Sequence, residues 1–219
     1  MTDQLTLRLA GLYAVADTEC IGPTRLIEAV TTAIDGGAAV VQYRDKSGND
    51  NVREKQAAAL ADLCERRGTV FIVNDDVELA RHVGATGVHL GRDDPPLADA
   101  RRVLGSRSII GVSCYNELER ALAAANAGAD YVAFGSFYPS STKPAAVHAT
   151  VGLLREARER LHIPIVAIGG ITPENGGALV AAGANALAVI QGLFAHGDIR
   201  EAARRYVALF AAPNLKGGP

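Results

Sequence analysis

Cysteine is scarce in this 219-residue chain. Cys20, Cys64 and Cys114 stand far apart and form no C-x-x-C pair. That spacing points away from a disulfide framework and from a zinc knuckle. An excess of positive charge is missing too. The 22 Lys and Arg are offset by 24 Asp and Glu, for a formal net charge of -2. Such a balance argues against a protein that coats nucleic acid. Any anion must then be held by local positive groups. No apolar run is long enough to span a bilayer. Met1 to Gly11 include Asp3 and Arg8 and carry no apolar run of signal-peptide length. A cytoplasmic, reducing location is the expectation, with neither membrane nor nucleic acid as partner. A P-loop, a zincin pattern and a catalytic-triad pattern are all absent.

Glycine, by contrast, is plentiful at 23 residues. Much of it recurs in one device, a helical stretch followed by Gly-Ala and a short apolar run. The copies are Gly36-Gly37-Ala38-Ala39-Val40-Val41, Gly84-Ala85-Thr86-Gly87-Val88, Gly128-Ala129-Asp130-Tyr131-Val132 and Gly183-Ala184-Asn185-Ala186-Leu187. Glycine just past a helix end takes the left-handed conformation that other residues resist. A strand follows within two or three residues, so helix and strand alternate and the strands are parallel. Strands are expected at Gly11–Asp17, Ala39–Asp45, Val70–Asn74, Gly87–Leu90, Ile109–Ser113, Tyr131–Gly135, Ile165–Ile168 and Ala186–Ile190. Helices are expected near 24–35, 51–67, 76–82, 97–103, 117–126, 150–160, 174–181 and 199–210. Eight such units in a chain of this length predict a single α/β domain, a (β/α)8 TIM barrel over residues 1–212. A doubly wound sheet would show G-x-G-x-x-G after its first strand, where Ala16-Asp17-Thr18-Glu19-Cys20 stands instead. Residues 213–219, with two prolines and two glycines, read as a disordered tail.

In such barrels the working residues lie at the C-terminal strand ends. The second strand ends Val40-Val41-Gln42-Tyr43-Arg44-Asp45-Lys46. Alternation puts Gln42, Arg44 and Lys46 on one face, an array of donors and positive charge suited to an anion. The opposing reading is a strand that runs out into solvent. The third strand ends Asn74-Asp75-Asp76 and the fourth His89-Leu90-Gly91-Arg92-Asp93-Asp94. Each Asp is a plausible helix cap. Asp75 and Asp94 together are also what a weakly held Mg2+ needs, an ion that keeps several waters and shares itself with phosphates. Ser113, ending the fifth strand, reads as a substrate-binding hydroxyl, because Tyr115 stands where a G-x-S-x-G elbow needs glycine. Cys114 reads as packing. The loop Pro139 to His148 carries Ser140, Ser141, Thr142 and Lys143, either a surface turn or a phosphate grip. Gly169-Gly170 and the segment at Ile190-Gln191 end the seventh and eighth strands, where many barrels bind phosphate. Thr172 and Pro173 fit the start of the following helix. His82, His89, His148, His162 and His196 show no ligand spacing and read as surface or packing residues.

Taken in order, these motifs resemble those of the thiamine-phosphate synthase family. They are Gln42-Tyr43-Arg44-Asp45-Lys46, Val73-Asn74-Asp75, Val88-His89-Leu90-Gly91 with Asp94, Gly111-Val112-Ser113, Thr142-Lys143-Pro144 and Ile168-Gly169-Gly170-Ile171. The resemblance implies condensation of 4-amino-5-hydroxymethyl-2-methylpyrimidine diphosphate with a thiazole phosphate, releasing pyrophosphate. It implies that Gln42, Arg44, Lys46 and Asn74 hold the diphosphate, and that Ser113 and Lys143 also meet the diphosphate side. Asp75 and Asp94 would carry Mg2+. Ser140, Thr142, Gly170, Ile190 and Gln191 would meet the thiazole phosphate. Arg44, Lys46, Ser113 and Lys143 are the groups expected to act in catalysis. Two positions depart from the family. Ser140-Ser141-Thr142-Lys143 replaces Thr-x-Thr-Lys and keeps the hydroxyl. Gln191 stands where Ser is frequent, and a backbone N–H contact survives that change.

The implied chemistry is dissociative. An electron-rich aminopyrimidine releases its diphosphate, and the thiazole nitrogen attacks the stabilised cation. This asks for leaving-group neutralisation and positioning, not for a protein nucleophile. A thiazole tautomerase of the same superfamily is the nearest rival. It needs a proton carrier, for which a His near strand five is suited, and Tyr115 occupies that region. A non-catalytic phosphate-ligand sensor is a further alternative. A homo-oligomer is compatible with all of these.

Overall fold

A computed structural model describes residues 9–139 and 147–211. Ser140, Thr142 and Lys143 lie outside the described residues, as does the tail at 213–219. Eight parallel strands close into a barrel in sequence order. They are β1 (Gly11–Asp17), β2 (Val40–Arg44), β3 (Val70–Asn74), β4 (Gly87–Leu90), β5 (Ile109–Tyr115), β6 (Tyr131–Phe134), β7 (Ile165–Ile168) and β8 (Ala186–Val189). β1 pairs with β8 from Gly11 opposite Ala186 to Ala14 opposite Val189, which shuts the ring. The expected barrel is therefore present, with strand ends shifted by one or two residues.

The helices are α1 (Thr18–Ile21), α2 (Leu26–Asp35), α3 (Asp50–Arg67), α4 (Val77–His82), α5 (Leu97–Leu104), α6 (Leu118–Asn126), α7 (Val151–Arg160), α8 (Pro173–Ala181), α9 (Gln191–Phe194) and α10 (Ile199–Ala211). Local chemistry explains their limits. Asn49 accepts a hydrogen bond from the Val52 N–H to start α3, and Gly68 ends it in a left-handed turn (φ 66°) behind Arg66 and Arg67. The repeated Gly-Ala device behaves as expected. Gly37, Gly84, Gly128 and Gly183 all have positive φ between a helix and the next strand. The one-turn helices α1 and α9 were not anticipated.

Strand alternation builds two cores. Leu12, Val41, Phe71, Val88, Ile110, Val132, Ala167 and Leu187 point outward and pack beneath the helices. Tyr13, Val15, Val40, Val70, Ile72, Ile109, Tyr131, Val166 and Ala186 fill the barrel interior. Space for the Tyr131 ring comes from Gly111 on the neighbouring strand, where a Cβ would lie 2.0 Å from a ring carbon. Cys64 and Cys114 are buried and free, and burial pushes both thiols up to about 12. They are packing residues, as expected for Cys114.

Candidate active site

A cavity of about 480 Å³ opens where the strands end. Interior positions one step beyond the apolar layer form its floor and wall: Gln42, Arg44, Asn74, His89 and Ser113. The face shared by Gln42 and Arg44 thus turns into the barrel and not into solvent. Lys46 lies past the end of β2, exposed, and pairs with Asp75. Arg44 is drawn to Asp17, a buried carboxylate at the end of β1. Asp17 also accepts from the backbone N–H groups of Glu19 (3.0 Å) and Cys20 (3.3 Å), which starts α1. One side chain therefore caps a helix and aims a guanidinium.

The carboxylates after β3 divide their labour. Asp76 caps α4 by accepting from the Leu79 N–H at 2.9 Å. Asp75 takes a left-handed turn (φ 66°), which Asp tolerates better than most residues. That turn brings it to Asp94, with which it shares a hydrogen bond. Asp94 does not cap α5. Pro96 holds that position with no side-chain bond, and Asp94 Oδ2 instead accepts from the Gly91 N–H at 2.5 Å. Burial opposes charge on Asp75, but the Asp94 hydrogen bond and the Lys46 ammonium outweigh it and hold the group below its ordinary value. Burial and the Asp75 carboxylate push Asp94 up. Two carboxylates pressed together fit a small hard cation, which would relieve their repulsion.

His89 corrects the sequence expectation of a surface or packing residue. Its position on β4 faces inward, and the ring is 9% exposed in the cavity wall. Nε2 lies 2.8 Å from Ser113 Oγ and Nδ1 lies 2.9 Å from Tyr131 OH. Tyr131 OH is 2.8 Å from Tyr13 OH, which accepts from Gln42 Nε2 at 2.9 Å. Sequence reasoning missed Tyr13, Tyr131 and His89 as cavity residues. The available signal was parity: each is an even number of positions from the inward face of its strand.

Ile190 lines the cavity and leads into α9, which begins at Gln191. Gly170 lies two residues past the end of β7 with φ 61°, and a Cβ there would lie 2.4 Å from the Pro139 carbonyl oxygen. The Gly-Gly pair thus lets the loop after β6 lie against the loop after β7. Thr172 and Pro173 start α8 as expected, with Asn175 Oδ1 accepting from the Thr172 N–H at 2.8 Å. At the rim Arg92 lies 4.8 Å from the Tyr115 ring centre and pairs with Glu117.

A family model described as thiamine monophosphate synthase matches residues 12–193. The chain belongs to the thiamine monophosphate synthase family. It is 53% identical over 207 residues to the thiamine-phosphate synthase of Nitrosococcus oceani, covering 94% of this chain and 95% of that one. It is also 53% identical over 203 residues to the thiamine-phosphate synthase of Thioalkalivibrio sulfidiphilus, covering 93% and 96%. Among solved structures, thiamine phosphate pyrophosphorylase from Pyrococcus furiosus matches with a TM-score of 0.83 at 32% identity, over 94% of this chain and 98% of that one. Membership therefore extends over the barrel and its mouth together.

Proposed function

We propose that the protein condenses 4-amino-5-hydroxymethyl-2-methylpyrimidine diphosphate with 4-methyl-5-(2-phosphoethyl)thiazole, giving thiamine phosphate and pyrophosphate. One observation carries this reading: a hydrogen-bonding cavity floor beside a cluster of Arg44, Lys46, Asp75 and Asp94. The floor suits a polar ring, and the cluster suits a diphosphate leaving group. The likeness to two thiamine-phosphate synthases at 53% identity supports it.

Gln42, expected from the sequence on the diphosphate, takes the pyrimidine end in this reading, which its buried place on the cavity floor beside Tyr13 supports. Arg44, Lys46, Asn74 and Ser113 meet the diphosphate and, with Lys143, stabilise the charge that grows on it as the C–O bond breaks. Asp75 and Asp94 would hold Mg2+, which when bound supplies Lewis acidity and a template for the leaving group. Gly170, Ile190 and Gln191, with Ser140 and Thr142, position the thiazole phosphate so that its nitrogen faces the breaking bond. Ser113 is not assigned as a nucleophile. The dissociative displacement asks for no protein nucleophile, and Tyr115 stands where a G-x-S-x-G elbow needs glycine. A cytoplasmic location for this small-molecule chemistry belongs to the same reading.

A thiazole tautomerase is the second reading, and His89 favours it, since a histidine does stand beside β5. The same assay separates the two. Protein, both substrates and Mg2+ are incubated, and any thiamine phosphate is oxidised to fluorescent thiochrome. Thiochrome with equimolar pyrophosphate is expected, and thiazole phosphate alone should be returned unchanged. No product, with both substrates shown to bind by calorimetry, overturns the synthase reading.

A further inference from the structure

Five side chains cross the floor of the barrel as one hydrogen-bonded line: Gln42 on β2, Tyr13 on β1, Tyr131 on β6, His89 on β4 and Ser113 on β5. Gln42, Tyr13 and Tyr131 are 6%, 1% and 0% exposed. Buried polar groups of this kind are costly unless satisfied, so the line stands or falls together. Its direction can be worked out. Burial pushes the Tyr13 and Tyr131 phenols far above their ordinary value, so each keeps its proton. Gln42 Nε2 donates to Tyr13. For every hydroxyl proton on the line to have a partner, Tyr13 gives its own proton to Tyr131, and Tyr131 gives its proton to His89 Nδ1. The imidazole proton then sits on Nε2 and points at Ser113 Oγ. The two ends are left with opposite gifts for a ligand: an acceptor at Gln42 Oε1 and a donor at Ser113.

We propose that Tyr13, Tyr131 and His89 are positioning residues that fix this direction and so make the floor selective for a ring that offers an N–H donor to Gln42. This deepens the synthase reading and rests on it. A ring with an oxo group in place of the amine would bring acceptor against acceptor. Relief requires the Gln42 amide to flip, which puts Oε1 on Tyr13. Tyr13 must then donate to Gln42, Tyr131 to Tyr13, and His89 must move its proton to Nδ1. Every link reverses at once with its bonds kept, but Ser113 must then give its proton to His89 Nε2 and no longer to the diphosphate, and that lost bond to an anion opposes the oxo ring. If the line is cut at Tyr131, Gln42 and Tyr13 can reverse alone.

The test is equilibrium binding, by calorimetry without thiazole phosphate, of the aminopyrimidine diphosphate and its 4-oxo counterpart. Wild-type protein is compared with Tyr131→Phe and Tyr13→Phe, each first shown to melt cooperatively. Tyr131→Phe should shrink the amino-over-oxo preference by about tenfold or more, as expected when a buried polar group no longer lacks a partner. Tyr13→Phe cuts the line next to Gln42 and should shrink it at least as far. A purely structural role would weaken both ligands equally. An unchanged preference in whichever variant melts cooperatively overturns this inference alone. Failure of the wild-type protein to bind either ring overturns the synthase reading with it.

Discussion

Arg44 is the residue on which leaving-group stabilisation depends most directly, and it does not stand alone. Its side chain is 19% exposed and its guanidinium rests on Asp17, whose side chain is 4% exposed. Arg44→Ala should cut turnover by roughly 10²-fold or more, through lost stabilisation of the departing diphosphate. Asp17→Asn tests the support. Asn keeps an oxygen for the Glu19 and Cys20 N–H groups, so α1 should persist, while the pull on Arg44 weakens. A fall in kcat/KM of about tenfold is expected, because a misaimed group loses much of its effect. The stability cost should be about 1–3 kcal/mol for a buried charged hydrogen bond. Steady-state kinetics beside a melting curve reads both, and an unchanged kcat/KM would mean that Arg44 needs no aiming. None of this support was legible in the sequence. Gln42, Arg44 and Asn74 announce themselves as polar groups ending apolar strands, but Asp17 looks like an ordinary turn residue. His89 and the two tyrosines sit within apolar runs, and only the closed ring gives inward parity a chemical meaning.

At the level of elements, the fold was legible because one device recurs. Helix, glycine in a left-handed turn, alanine and apolar strand set a parallel alternation that eight strands close into a barrel. The short helices α1 and α9 escaped because four residues carry no periodicity. Strand register was hidden too, and with it the meaning of single glycines. Gly111 is such a case, since it matters only because Tyr131 lies opposite it. Gly111→Ala would set a Cβ 2.0 Å from the ring in a closed interior. It should cost about 1–3 kcal/mol through overpacking. It should also displace the Tyr131 hydroxyl from its partners. Gly177, inside α8, gives the contrast. Its nearest neighbour would be a Leu209 methyl carbon at 4.0 Å, so Gly177→Ala should stabilise by about 0.5–1 kcal/mol from helix propensity alone. Denaturant unfolding of the two variants checks both signs, and a shift of the same sign in both would refute the register argument.

Across the whole molecule, the barrel separates what holds it together from what it does. The apolar interior and the helix-covered outer layer lie below, and Lys46, Asp75 and Asp94 gather at the mouth. Asp75 is where the two demands conflict. It adopts a left-handed backbone, and its carboxylate lies against Asp94. Both features work against stability, and the Lys46 pair, the hydrogen bond to Asp94 and the nearby His89 offset them only in part. That pair is 49% and 24% exposed at its two side chains, so it is worth at most about 1 kcal/mol. Asn accepts left-handed backbone as readily as Asp and carries no charge to oppose Asp94. Asp75→Asn should therefore cut turnover by roughly 10²-fold while leaving Tm unchanged or raised. That opposition marks a position kept for function at the expense of stability. Calorimetric melting without ligand, set beside the thiochrome assay, decides it. A chain of this size loses about 2–4 °C per kcal/mol. A drop beyond about 4 °C would make Asp75 a structural residue and move the cation site elsewhere along the mouth.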